Sequence, residues 1–127
     1  MNILKDNKGS VTVELSLFIA LICGIIFGYM SIMGGIRTSI VLQVAAREGA
    51  RAYATTDSAS AGQIKANLEL ATMGVTGTVP VASVEGTGRS ITITKVHNYT
   101  IPLFGTYTST LRGYCTFAVE PVMPEGS

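Results

Sequence analysis

SVTVELSLFIALICGIIFGYMSIMGGI, residues 10–36, is the stretch whose reading decides the architecture. From Leu15 to Met33 no side chain carries a charge, and as a helix this segment spans about 28 Å, the thickness of one hydrocarbon core. Buried helices of soluble proteins rarely run this long without a polar face. The sequence therefore predicts a membrane-spanning helix.

The start of the run carries the functional signal. Lys5, Asp6, Asn7, Lys8 and Gly9 precede it, and only Thr12, Glu14 and Ser16 interrupt its apolar beginning. A carboxylate at the edge of a membrane helix is costly unless something pairs with it. If the chain were cut after Gly9, Ser10 would carry a free amino group and Glu14 would be the fifth residue of the new chain. Ammonium and carboxylate on neighbouring, slightly staggered copies would then neutralise one another inside a helix bundle, where a low dielectric strengthens attraction. Gly before a small residue, with Glu at the fifth place after the cut and an apolar helix following, resembles the processing pattern of type IV prepilins.

Lys5 and Lys8 predict that the N-terminal end stays in the cytoplasm, and Arg37 closes the far side. Residues 1–9 lack the apolar region of a secretory signal peptide. An uncleaved signal anchor is the alternative. Gly24 and Gly28 form a G-x-x-x-G pair suited to helix packing, and Gly34 and Gly35 predict a bend or local loosening.

The helical pattern continues through Thr38–Tyr53, giving one helix from about Ser10 to about Ala54, roughly 67 Å long. Ala45, Ala46, Gly49, Ala50 and Ala52 keep its outer half slender enough for a sheet or second helix to pack closely. Arg47, Glu48 and Arg51 are spaced for local ion pairing.

KGSVTVELSL, Lys8 to Leu17, together with AAREGARAYA, Ala45 to Ala54, resembles the TadE-like (TadE/TadG) family of minor pilins, or pseudopilins, of tight-adherence pili. Gly9, Ser10, Val13, Glu14 and the block Ala45, Ala46, Arg47, Glu48, Gly49, Ala50, Arg51 carry the resemblance. It implies an α+β, type IV pilin-like fold organised as a leader (1–9), a transmembrane or filament-core helix (10–36) and an extracytoplasmic domain (37–127). It further implies cleavage by a prepilin peptidase between Gly9 and Ser10, and assembly through Glu14 with other pilin subunits on a pilus assembly platform. The expected location is the cytoplasmic membrane, with the C-terminal domain outside the cytoplasm, or a surface pilus. Two alternatives are the main filament subunit and an uncleaved membrane-anchored protein with a small binding domain.

Beyond Tyr53, TTDSASAG reads as a turn with Asp57 or Ser58 as helix cap. Gln63 to Met73 predicts a short second helix with Ile64, Leu68 and Ala71 on its apolar face, ended by Gly74. Thr76–Glu85, Ser90–Ile101 and Thr106–Val119 predict a three-stranded antiparallel sheet against the long helix, with EGTGR as a hairpin turn and Tyr107, Leu111 and Phe117 in the core. So small a sheet needs the helix for its core.

Chemistry-bearing residues are few. His97, the only histidine, has no cysteine or acid at metal-ligand spacing and reads as a solvent-facing strand residue. Cys23 and Cys115 read as separate free thiols, one in the apolar span and one in the last strand. No nucleophile, base and orienting residue assemble by spacing, so neither an enzyme nor a cofactor is expected. Nine basic and eight acidic residues, or seven of each once Lys5, Lys8 and Asp6 are set aside, do not suggest nucleic acid as a partner.

Overall fold

A computed structural model describes residues 3–119, with side chains from residue 8 onward; the first two residues of the expected leader and residues 120–127 of the expected outer domain lie outside the described residues. The chain runs α1 (Ile3–Thr56), α2 (Ala59–Thr72), β1 (Val81–Glu85), β2 (Gly88–Ile101) and β3 (Gly105–Ala118). The strands form an antiparallel meander in the order β1-β2-β3. The layout is α+β, with the sheet and α2 both laid on the outer half of α1.

Helix α1 begins before Ser10, at Ile3, and stays helical through Gly34 and Gly35, so the expected loosening there is not found. It contains no proline to remove a hydrogen bond. Its two central glycines instead serve as seats for side chains of β2, described below.

Leu42, Ala45, Ala46 and Ala50 of α1, Ala66 and Leu70 of α2, and Ile91 and Ile93 of β2 form the buried core. The backbones approach so closely that larger side chains have no room. A Cβ on Gly49 would lie 2.8 Å from the Cβ of Ala66 and 2.9 Å from the Gly62 carbonyl oxygen, both closer than real contacts allow. On β3, Gly113 rests against the Leu42 carbonyl in the same way. Small residues therefore set the spacing of all three layers.

This spacing overrides hydropathy in α2. The expected apolar face is turned outward, with Ile64 68% and Leu68 57% exposed, while Gly62, Ala66 and Leu70 are buried. The Gly62 and Ala66 face gives up little apolar area of its own but admits the closest approach to α1, and the larger core area follows from that approach. The helix also starts earlier than expected. Ser58 caps it, its Oγ accepting from the Ala61 N–H at 3.4 Å. At its other end Gly74 takes a φ of 75°, and the Gly74 and Val75 N–H groups bond back to the Ala71 and Leu70 carbonyls. This is the glycine-terminated C-cap that the sequence signalled.

Gly86 and Thr87 form the two-residue turn between β1 and β2, Gly86 supplying a φ of 61°. At this end of the sheet Arg89 stacks over the Tyr53 ring, 5.8 Å from its centroid, and its Nε donates to Asp57 Oδ1 at 2.7 Å. That hydrogen bond holds the Arg89 pKa above its ordinary value against the opposing effect of burial. The corner between the two helices is thereby tied to the sheet.

β2 pairs with β3 along its full length, but β1 reaches only as far as Thr92. Past that point the hairpin continues as a two-stranded ribbon along α1. Beyond the Lys95–Leu111 pair only β2 keeps alternate residues half-buried against the helix, while residues 105–110 of β3 are exposed. Tyr107, expected in the core, is therefore 54% exposed on the uncovered strand, whereas Leu111 and Phe117, nearer the domain, pack against the core.

The tight contact predicts that Gly49→Leu, although it raises helix propensity, destabilises the domain by about 1–3 kcal/mol through overpacking. Ile64→Ala should change stability by less than about 0.5 kcal/mol. Urea unfolding of the detergent-solubilised protein, followed by circular dichroism, checks both.

Candidate functional site

The N-terminal half of α1 has little cover among the described residues. Leu17, Phe18, Ile25, Phe27 and Met30 are all exposed. The helix is long and apolar enough to cross a membrane.

Gly9, Ser10 and Glu14 are exposed on the first turns of this bare segment. The Gly9–Ser10 peptide is helical, and the Thr12 hydroxyl donates to the Lys8 carbonyl at 2.9 Å. A peptidase acting there must first unwind a helix end that a glycine already weakens. Glu14 lies in a shallow groove with Val11, Leu15 and Phe18. Among the described residues the ion pairs are Lys65–Glu69 and Arg89–Asp57, and neither involves Glu14. The carboxylate thus stands on an apolar surface without a countercharge among the described residues.

Gly24 and Gly28 are half-buried, and a Cβ at either would meet nothing within 4 Å. They line an apolar cleft of about 370 Å³ between α1 and the β2–β3 turn, Ile101–Phe104. Among the described residues no second helix packs on this pair.

The block Ala45–Arg51 divides by face. Ala45, Ala46, Gly49 and Ala50 are buried in the core, while Arg47 and Arg51 are exposed and Glu48 is half-buried. The expected ion pairing among Arg47, Glu48 and Arg51 is not formed, at the cost of little Coulomb energy. Ala45 lies about 46 Å along the helix from Glu14. The structure does not bring the two recognisable stretches together.

His97 departs from its expected solvent-facing role. Odd-numbered residues of β2 face α1, and the His97 ring sits over Gly34, 3.9 Å from where a Cβ would stand. Its ring meets that of Tyr99 edge-on, with centroids 4.7 Å apart. Tyr99 in turn occupies the space that a side chain on Gly35 would need. Just beyond, the Thr100 N–H donates to Ser31 Oγ at 3.1 Å. Ser31, a hydroxyl in the apolar run, thereby satisfies a backbone donor on the free edge of the ribbon.

Sequence reasoning assigned no role to Ser31, Tyr99 or the turn residues Leu103 and Phe104. The available signal was the absence of Asp, Glu, Lys and Arg from Val96 to Leu111, unusual for an exposed hairpin. Cys23 and Cys115 are both free thiols. Among the described residues no three His, Cys, Asp or Glu side chains converge to hold a metal.

No family model, curated protein or solved structure matches the chain.

Ser31→Ala removes the acceptor of the Thr100 N–H. Amide hydrogen exchange at Thr100 should speed up roughly threefold to tenfold, the equivalent of one net hydrogen bond, while amides paired within the ribbon keep their protection.

Proposed function

We propose that this chain is a structural subunit of a pilus, a TadE-like minor pilin that is held in the membrane as a precursor and cut by a prepilin peptidase between Gly9 and Ser10. The observation that carries this reading is Glu14, an exposed carboxylate without a countercharge among the described residues, on a helix whose apolar surface is bare. Neither feature is stable in isolation. A bundle of such helices supplies both missing elements, apolar neighbours for Phe18 and Phe27 and the Ser10 ammonium of an adjacent copy for Glu14.

The mechanism is then one of transfer between apolar environments. The precursor's helix rests in the bilayer, with Lys8 at the cytoplasmic side. Removal of residues 1–9 creates the positive charge that Glu14 lacks and takes away Lys5 and Lys8, which resist passage through hydrocarbon. Gly24 and Gly28, open in the monomer, provide a face on which a neighbouring helix backbone can approach. The domain formed with α2 and the sheet remains outside the cytoplasm.

Gly9→Leu should leave the precursor at full length, whereas Glu14→Ala should be cut normally and enter pili at a small fraction of the wild-type level. Immunoblots of membrane and sheared-pilus fractions, with each variant at native expression, check this. Normal incorporation of Glu14→Ala would remove the pairing mechanism.

A further inference from the structure

The β2–β3 turn is built in a way that the pilin reading leaves unexplained. Leu103 is 95% exposed and Phe104 75% exposed, at the far end of the ribbon. The Phe104 N–H bonds back to the Ile101 carbonyl at 3.1 Å, and Leu103 takes a φ of 74°. That turn position favours glycine or asparagine. The chain instead places a large apolar side chain there and aims it away from the fold.

The position of this turn along α1 shows which medium receives it. The Arg112 carbonyl accepts from Gln43 at 3.4 Å, His97 sits over Gly34, Thr100 is bonded to Ser31, and the turn lies beside Gly24, Ile25 and Gly28. The charge-free part of the ribbon, Val96 to Leu111, therefore runs beside the helix from about Gln43 down into the uncharged segment that Arg37 closes. Strand edges with free N–H and C=O groups do not lie in hydrocarbon. Centring the bilayer on Leu15–Met33 would place the turn near its midplane and draw the strands in with it. A shift toward the N-terminus removes the conflict, because Lys8 to Tyr29 also spans about 31 Å. Tyr29 then stands at the hydrocarbon boundary, with Tyr99 and Tyr107, directly paired across the ribbon, just above it. Interfacial tyrosines are a general feature of membrane boundaries.

We propose that the turn Ile101–Phe104 dips into the leaflet on the sheet side and buries Leu103 and Phe104 among the acyl chains beside α1, so that the chain holds the membrane at two points and the hydrocarbon spans roughly Lys8 to Tyr29. The inference rests on α1 spanning the membrane but not on pilus assembly. The ligand is the lipid acyl chain itself. The cleft lined by the turn and by Gly24 and Gly28 is filled by it.

The chain contains no tryptophan, so single substitutions report position directly. Full-length Leu103→Trp, Phe104→Trp, Phe18→Trp and Val84→Trp proteins, each at an exposed site, are reconstituted into phosphatidylcholine vesicles containing brominated lipids. Phe18→Trp should be quenched most by bromines near the methyl end of the acyl chain. Leu103→Trp and Phe104→Trp should be blue-shifted and quenched most by bromines near the glycerol end, and Val84→Trp should not be quenched. A quenched Phe18→Trp with unquenched turn probes overturns the dipping turn and leaves the span intact. Blue-shifted turn probes without bromine quenching assign the turn to a protein contact and overturn it equally. Strongest quenching of the turn probes near the methyl end overturns the shifted boundary. An unquenched Phe18→Trp overturns the span and the inference together.

Discussion

At Gly49 and Gly62 the backbones of the two helices come so close that neither residue has room for a Cβ, and Gly113 brings β3 equally close to the Leu42 carbonyl. This contact among small residues fixes where everything else lies. It allows Ile91 and Ile93 to be fully buried against a helix that offers mostly alanine in return. A three-stranded sheet with so few large core residues is not independently stable. The outer half of α1 is accordingly the spine of the domain, and a displacement of the helix carries the sheet with it.

The other half of α1 poses the opposite problem. Its large apolar side chains have little cover among the described residues, and Glu14 stands among them without a cation from those residues. Because the helix is unbroken, this bare surface is rigidly coupled to the folded domain. Hydrocarbon covers such a surface well but accommodates the carboxylate poorly; a bundle of identical helices with free amino termini accommodates both. The helix is suited to leave one medium for the other, which is the basis of the proposed subunit role.

Much of the fold was legible in the sequence. The long charge-free run, the three Val-, Ile- and Thr-rich segments and the Gly86 turn gave the element order, and Gly74 marked the end of α2, whose start was expected at Gln63 with Asp57 or Ser58 as cap and lies at Ala59. The face of α2 was not legible, because Ile64 and Leu68 outweigh Gly62 and Ala66 on any hydropathy measure while backbone proximity decides the packing. Tyr107 was misplaced because a strand pattern does not show that β3 leaves the helix beyond Leu111, where residues 105–110 are exposed. His97 and Tyr99 were hidden by the same limit, since their seats are Gly34 and Gly35, read alone as weak points of the helix. Of the candidate site, Gly9, Ser10 and Glu14 were singled out from the sequence, and the structure places all three exposed on α1. The role of Ser31 was not, because its partner is a backbone N–H some seventy residues away in the chain.

The most direct test of the proposed role is the intact mass and N-terminal sequence of the unaltered protein recovered from its native membrane and from sheared surface filaments. The account predicts a membrane pool that includes the full-length precursor and a filament pool whose chains begin at Ser10. Filaments that contain the chain still beginning at Met1, or a chain that remains full length throughout cells with an active prepilin peptidase, would contradict it.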